Sequence, residues 1–213
     1  QNFGITTANR YVVHIDPAGA GYTAATIQAV TEQLDREFST LPGVQSAGLA
    51  LYSTLEGNNW GEGVYVEGRP APGPEAHNGS SWDRVSPHFF ETIGQTVLRG
   101  RGITDQDTAT SRMIAVVNQA FVKKFFLNED PIGRHFGNFD QKYATDYEIV
   151  GIVADAKYTN PHDPARPMYF RPMSQPNTKA KETNLLATEI SSLFPNSITL
   201  RYAGDAASLE SLV

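Results

Sequence analysis

Cysteine is absent from all 213 residues. That excludes disulfides and Cys-based metal sites, and it permits an oxidising compartment without requiring one. No run approaches the roughly 18–20 apolar residues that cross a bilayer. No signal peptide is visible. Positive charge is scarce: 17 Lys and Arg stand against 23 Asp and Glu, for a net charge of −6. Phosphate-backbone binding relies on such cations displacing counterions, so no nucleic acid partner is expected. Internal repeats and low-complexity tracts are lacking too. The chain opens on Gln1, as expected of a segment taken from a longer protein.

Catalytic signatures are missing as well. There is no HExxH, no GxxxxGK[ST] loop, no GxGxxG opening a helix and no GxSxG elbow. A triad of dispersed residues is not something a sequence can exclude. The histidines at 14, 77, 88, 135 and 162 include no helical i, i+4 pair, so no metal site is expected. The glycine-rich stretch 57–63 has no lysine and follows no β-α pattern, and it reads as a turn. Asn78-Gly79-Ser80 is formally a glycosylation sequon, but Asn-Gly is also a tight-turn signal, which is the reading taken here. The sequence therefore assigns no catalytic residue, no cofactor-binding residue and no metal ligand.

What is present is a globular composition, 40% hydrophobic and 19% charged, in a chain long enough to bury a core. Residues 11–15 (YVVHI) read as a strand. Ile27, Val30, Leu34, Phe38 and Leu41 then recur at helical spacing, with Thr23 as N-cap and Pro42-Gly43 as the stop. Residues 44–52 form a second strand. A β-α-β unit of this kind usually gives two parallel strands and a right-handed crossover. From Ser53 the texture turns loop-rich, at 56–63 and again at 69–79. Strands are expected at 64–67, 81–85, 112–117, 147–153 and 167–170, and helices at 87–93 and 119–127. Asn118 is placed to cap the second of these, and Phe121, Val122, Phe125 and Phe126 form its apolar face. Residues 177–195 carry a weaker helical pattern built on Leu185, Leu186, Ile190 and Leu193. Residues 197–202 (SITLRY) alternate as a strand, and a further helix starts in 203–213, with Asp205 near its N-terminus.

Four segments in order carry a resemblance: residues 86–101 (SPHFFETIGQTVLRGR), 114–118 (IAVVN), 129–133 (EDPIG) and 147–155 (YEIVGIVAD). Each alone is bland. Together, and with NSITLRY at 196–202, they resemble the periplasmic core domain of MacB/FtsX-type ABC transporter permeases, of the duplicated orphan type common in acidobacteria. The resemblance covers nearly the whole chain, from about Phe3 to Val213. It implies an α+β fold in which a porter-like β-α-β subdomain, residues 1–52 plus 195–213, is interrupted by an inserted small α/β Sabre-like subdomain, residues 53–194. It also implies that strands 11–15, 44–52 and 197–202 share one sheet although most of the chain separates them. The motifs have structural jobs: Gly100 is suited to a positive φ in a turn at 98–101, and Pro131 ends a helix. One departure stands out, since 177–195 is longer and more polar than the family pattern.

The implied role is a non-catalytic extracytoplasmic module of a membrane protein, coupling nucleotide-driven motion to transport or envelope processes. Implied partners are the permease's own transmembrane helices, a second permease copy, and a periplasmic adaptor or substrate protein. ATP hydrolysis would lie elsewhere in the transporter. Candidate contact residues are Trp60, Glu56 and Glu62, on polar loops of the kind that carry recognition; aromatic anchors dominate interfaces. A small-molecule-binding domain with a cleft between the subdomains is the alternative, and an α/β hydrolase the more distant one.

Overall fold

The computed structural model describes residues 3–127, 129–182, 185–204 and 206–211. The chain runs β1 (Arg10–His14), α1 (Ile27–Ser39), β2 (Val44–Ala50), β3 (Trp60–Gly63), β4 (Tyr65–Val66), β5 (Gly79–Val85), α2 (Phe89–Ile93), β6 (Val97–Gly100), β7 (Ile114–Asn118), α3 (Gln119–Phe125), β8 (His135–Gly137), β9 (Tyr147–Val153), β10 (Met168–Pro172), α4 (Leu186–Ser191), β11 (Ser197–Tyr202) and α5 (Ala206–Glu210). Short 3-10 turns cover Gln141–Tyr143 and Thr178–Glu182. The class is α+β, with one mixed sheet and few, short helices.

Strand order in the sheet is β1-β11-β2-β5-β10-β7-β9-β8-β4, with β3 added on β5 and β6 on β9. The first, second and last of the long-range strands do lie together. β11 is antiparallel to β1, with Val12 opposite Thr199, and antiparallel to β2, with Leu49 opposite Ile198. β1 and β2 are therefore parallel, as a β-α-β unit requires, but they are not neighbours. β11 takes the place between them, which a local reading of the unit does not anticipate. Strand pairing from this group to the rest is narrow: β2 and β5 have a single registered pair, Ala50 opposite Val85, reinforced by Leu51 N–H on the Arg84 carbonyl at 2.9 Å and Ser86 N–H on the Leu49 carbonyl at 3.0 Å, while α2 bridges it from one face, with Thr92 Oγ1 donating to Ser46 Oγ at 3.0 Å.

Apolar side chains gather into two clusters. One holds Ala47, Leu49, Met173, Ile198, Leu200 and Leu209, with Leu34 and Phe38 of α1 packed on it. The larger one is aromatic, and Phe121 sits at its centre with ring centroids 4.6 Å from Phe125, 5.0 Å from Phe136 and 6.0 Å from Tyr169. Full burial of each such side chain stabilises by about 1.5–3 kcal/mol. α2 lies on β2 closely enough that a Cβ on Gly48 would come within 2.9 Å of Phe89 Cα.

Several local expectations need correction. Thr23 is not the cap of α1: its amide donates to Thr26 Oγ1 at 3.0 Å, making a turn, and the helix starts at Ile27. Pro87 and His88 precede α2 rather than open it, with His88 left-handed at φ 64°. Residues 60–63 are a strand, not a turn, because β5 supplies a pairing edge from Trp82 to Gly79. Residues 97–100 are likewise a strand, bulged against β9. Gly100 there has φ 67°, and a Cβ would stand 2.2 Å from the Val150 carbonyl oxygen, so this position requires glycine. The helix within 177–195 is turned over: Glu189 is buried and Ile190 is 40% exposed, the reverse of its apolar pattern. Asp205 lies outside the described residues. Asn118 does cap α3, accepting from Phe121 N–H at 2.9 Å.

Candidate functional site

The sheet carries charge where strands are usually apolar. Trp82, Asp83 and Arg84 follow one another in β5, and all three are buried. Side chains alternate across a strand, so Trp82 and Arg84 face one side and Asp83 the other. Parallel pairing with β10 sets Tyr169 beside Trp82 and Arg171 beside Arg84. Two guanidiniums are thus forced together inside the protein. Their counter-ion is Glu189 of α4. Arg171 Nη2 and Nη1 donate to its two oxygens at 2.9 and 3.0 Å, Arg84 Nη2 donates to Oε1, and the Asn177 amide adds a bond of 2.6 Å. The remaining Arg84 donors reach Ser192 Oγ at 2.9 Å and the carbonyls of Gln175 and Pro172 at 2.9 and 3.2 Å. Arg171 also lies over the rings of Trp82 and Tyr147, 5.1 and 4.9 Å from their centroids.

Burial by itself would raise the Glu189 carboxyl, but the two guanidiniums outweigh it and hold it at about 2. Burial and the neighbouring Arg171 charge lower Arg84 to about 10, so it stays protonated at neutral pH. The long polar segment 177–195 thereby has a physical reason: it lays an anion and several acceptors over two arginines that the sheet buries.

On the opposite face Asp83 accepts from Tyr158 Oη at 2.5 Å and from the Leu51 amide at 3.2 Å. Burial pushes its carboxyl up to about 8 against the pull of these hydrogen bonds. Asp83 sits beside the thin β2–β5 seam, where the chain leaves the first β-α-β unit.

The three contact candidates are placed differently from one another. Trp60 and Glu62 share β3, two residues apart and so on one face. Trp60 is half-buried, edge-on to Trp82 at 5.6 Å. Glu62 has its Oε2 sealed from solvent without a hydrogen-bond partner, and burial, only partly offset by Arg171, pushes it up to about 7. Glu56 is exposed and pairs instead with His14 Nε2 at 3.1 Å, at the end of β1. Sequence reasoning missed Asp83, Arg84, Arg171, Glu189 and Tyr158. The signal for four of them was available: acidic and basic residues in mid-strand, and one acid in an otherwise unexplained polar helix.

Beside an open concavity of about 470 Å³ along β3 and β5, lined by Glu62, Ser81 and Arg166, the surface carries two more. One, about 740 Å³, is lined by Leu98, Val122, Phe126, Leu127 and Ile152. The other, about 470 Å³, lies between α1 and the turn at 104–108, with Glu32, Asp35 and Asp105 on its walls. Among the described residues no group of three or more His, Asp or Glu is arranged to hold a metal ion, and no helix is long and apolar enough to cross a membrane.

A family model of the MacB-like periplasmic core domain matches residues 2–212. The chain belongs to that family. The periplasmic region of MacB from Actinobacillus actinomycetemcomitans is similar in fold, with a TM-score of 0.58 at 16% identity over 98% of this chain and 82% of that one. The extracellular domain of the noncanonic ABC-type transporter YknZ from Gram-positive bacteria aligns with a TM-score of 0.51 at 13% identity, over 95% and 86%. Among curated proteins no sequence matches. This MacB-like domain is therefore an extracytoplasmic part of an ABC transporter permease, and its buried charges and clefts belong to a protein of a transmembrane assembly.

Proposed function

We propose that this domain is a non-catalytic coupling module. It transmits nucleotide-driven motion of its permease to events outside the membrane. The porter-like part is residues 1–52 plus 195–213, and the Sabre-like insertion is residues 53–194. The observation that carries this reading is the insertion of β11 between β1 and β2, which ties the two ends of the described chain into one layer. Movement of either end would reach the insertion through the β2–β5 seam, through α2 packed on β2, and, for the N-terminal end, through the Thr6 amide on the Ile93 carbonyl and the Lys157 amide on the Phe3 carbonyl, both at 2.8 Å. The face bearing Trp60 and Glu62, with Glu56 and the polar segment 69–79 near it in sequence, contacts a second permease copy, an adaptor or a substrate protein. Long polar loops on a rigid scaffold suit that role.

Two experiments test this. Calorimetry with ATP, together with a panel of ester and peptide substrates, is expected to register neither saturable binding nor turnover. Either result would end the non-catalytic reading. Crosslinking from position 60 in whole cells is expected to capture a defined partner, and deletion of residues 58–62 to impair transport. Intact transport after that deletion removes the contact surface. A small-molecule-binding role is the second reading, favoured by the cleft between α1 and residues 104–108. A bound solute in that cleft would support it.

A further inference from the structure

We propose that residues 3–6 are a strap. They lead into β1, yet they fasten to the insertion, so a displacement entering there reaches residues 93 and 155–158 before it reaches the β1-β11-β2 layer. Two backbone hydrogen bonds, each 2.8 Å, hold the strap. Thr6 N–H donates to the Ile93 carbonyl at the end of α2, and Lys157 N–H donates to the Phe3 carbonyl. Between them Ile5 packs against the larger apolar cluster, not against the smaller one that holds Ile198 and Leu200. The sheet takes over only later, where Tyr202 N–H reaches the Asn9 carbonyl at 3.2 Å. Thr7 and Ala8, both exposed, separate the two attachments. From β1 itself one side chain also crosses to α2, Arg10 Nε on the Thr92 carbonyl.

The strap fits closely on both sides. Gly4 has φ 75°, and a Cβ there would stand 2.0 Å from the Asp155 carbonyl oxygen. Gly94 has φ 72°, and a Cβ there would stand 2.4 Å from Thr6 Oγ1. At Gly4 the clash is with backbone, so the strap lies where it does only with glycine at that position.

Its attachment is a junction. Asp155 accepts from Ala120 N–H at 2.8 Å, in the first turn of α3. Ala154 donates to the Thr96 carbonyl at 2.9 Å and accepts from Gln95 Nε2 at 2.7 Å. Tyr158 donates to Asp83 beside the seam. The strap therefore bears on α3 and on Asp83 within a few residues. From β1 the same places are reached only through β11, β2 and α2. Asp155, Gln119 and Ala120 also line the larger concavity, so its α3 wall stands next to the strap. Docking of the strap belongs to this chain whatever its role; its use in carrying motion rests on the function proposed above.

The test is amide exchange, residue by residue, in three variants of this chain. Leu200→Ala opens a cavity in the smaller cluster. The β1 amides are expected to accelerate in it, while Thr6 and Lys157 keep their rates, as separate cooperative units do. Gly4→Ala should reverse the pattern. Thr6 and Lys157 accelerate about tenfold or more, the effect of a side chain forced into the left-handed region, and the amides of β1 and β7 do not. Ile5→Ser keeps the backbone, removes the apolar anchor and should release the same two amides. Thr6 and Lys157 moving together with β1 in either Leu200→Ala or Gly4→Ala overturns the strap. So does their continued protection in both Gly4→Ala and Ile5→Ser. These readings need no transport, so their failure is distinct from failure of the coupling role, which the transport experiment above decides.

Discussion

Arg84, Arg171 and Glu189 form a buried group of two positive charges and one negative, and the imbalance makes its members unequal. Removing Glu189 strands two guanidiniums, whereas removing Arg171 leaves a balanced pair. Glu189→Ala should cost about 3–5 kcal/mol or more, the range for breaking a buried pair, and Arg171→Met distinctly less. Urea midpoints at constant slope check this ordering; equal losses would mean that Glu189 does not serve both arginines. Asp83 predicts a pH dependence of opposite sense to Glu189. Its folded value, about 8, stands above the ordinary 3.8. The folded state thus binds the extra proton, and the stability it contributes is full below about pH 4 and drains as pH rises toward 8, by up to about 1.4 kcal/mol per unit. Glu189, held at about 2, contributes above about pH 4.5 and loses that contribution as pH falls toward 2. Asp83→Asn should flatten the slope between pH 5 and 8 in denaturant titrations. An unchanged slope would assign the proton elsewhere.

At the scale of elements, Asn118 ties β7, α3 and the entry to β10 together. Its Oδ1 accepts from Phe121 N–H and from Met168 N–H, both at 2.9 Å, and its Nδ2 donates to the Arg166 carbonyl at 2.8 Å. A helix cap alone contributes about 1 kcal/mol. This side chain also closes the entry to β10, and each buried partner left unsatisfied costs about 1–3 kcal/mol. Asn118→Ala is accordingly expected to exceed an ordinary cap deletion, at about 2–4 kcal/mol. Asn118→Asp keeps both acceptor bonds and should recover part of the loss. A loss of about 1 kcal/mol or less by chemical denaturation would show that the link to β10 contributes little.

Over the whole molecule the sheet is continuous, yet its stability need not be. The two apolar clusters meet at a seam with one registered strand pair. Under the two-part organisation proposed above, β1, β2 and β11 open together, apart from β7, β9 and β10. Leu200→Ala, a cavity in the smaller cluster, should cost about 2–5 kcal/mol. It should raise amide exchange in β1, β2 and β11 by orders of magnitude more than in β7 and β9, as expected of separate cooperative units. Uniform acceleration throughout would make the sheet one unit and remove the seam as a route for independent motion.

The segments that the sequence determined unaided are those whose signal lies within a few residues. Tyr147–Val153 and Ser197–Tyr202 have the bounds read from alternation and β-branching, and α3 begins where Asn118 caps it. Ordered motifs were also enough for the family, because together they specify a fold even though each alone is bland. Tertiary structure decided the rest. WGEG, VLRG and HFG carry too little side-chain pattern to be strands until β5 and β9 offer them an edge. Nothing local in β1 or β2 announces that β11 will enter between them, since pairing order depends on residues far away in sequence. Glu189 turns inward against its own helical pattern because the pairing of β5 with β10 buries Arg84 and Arg171, 105 and 18 residues before it, and they need an anion. The half-burial of Glu62 has the same origin: a residue two places from Trp60 is polar loop in the sequence, and only the sheet beneath it takes one of its carboxylate oxygens out of solvent.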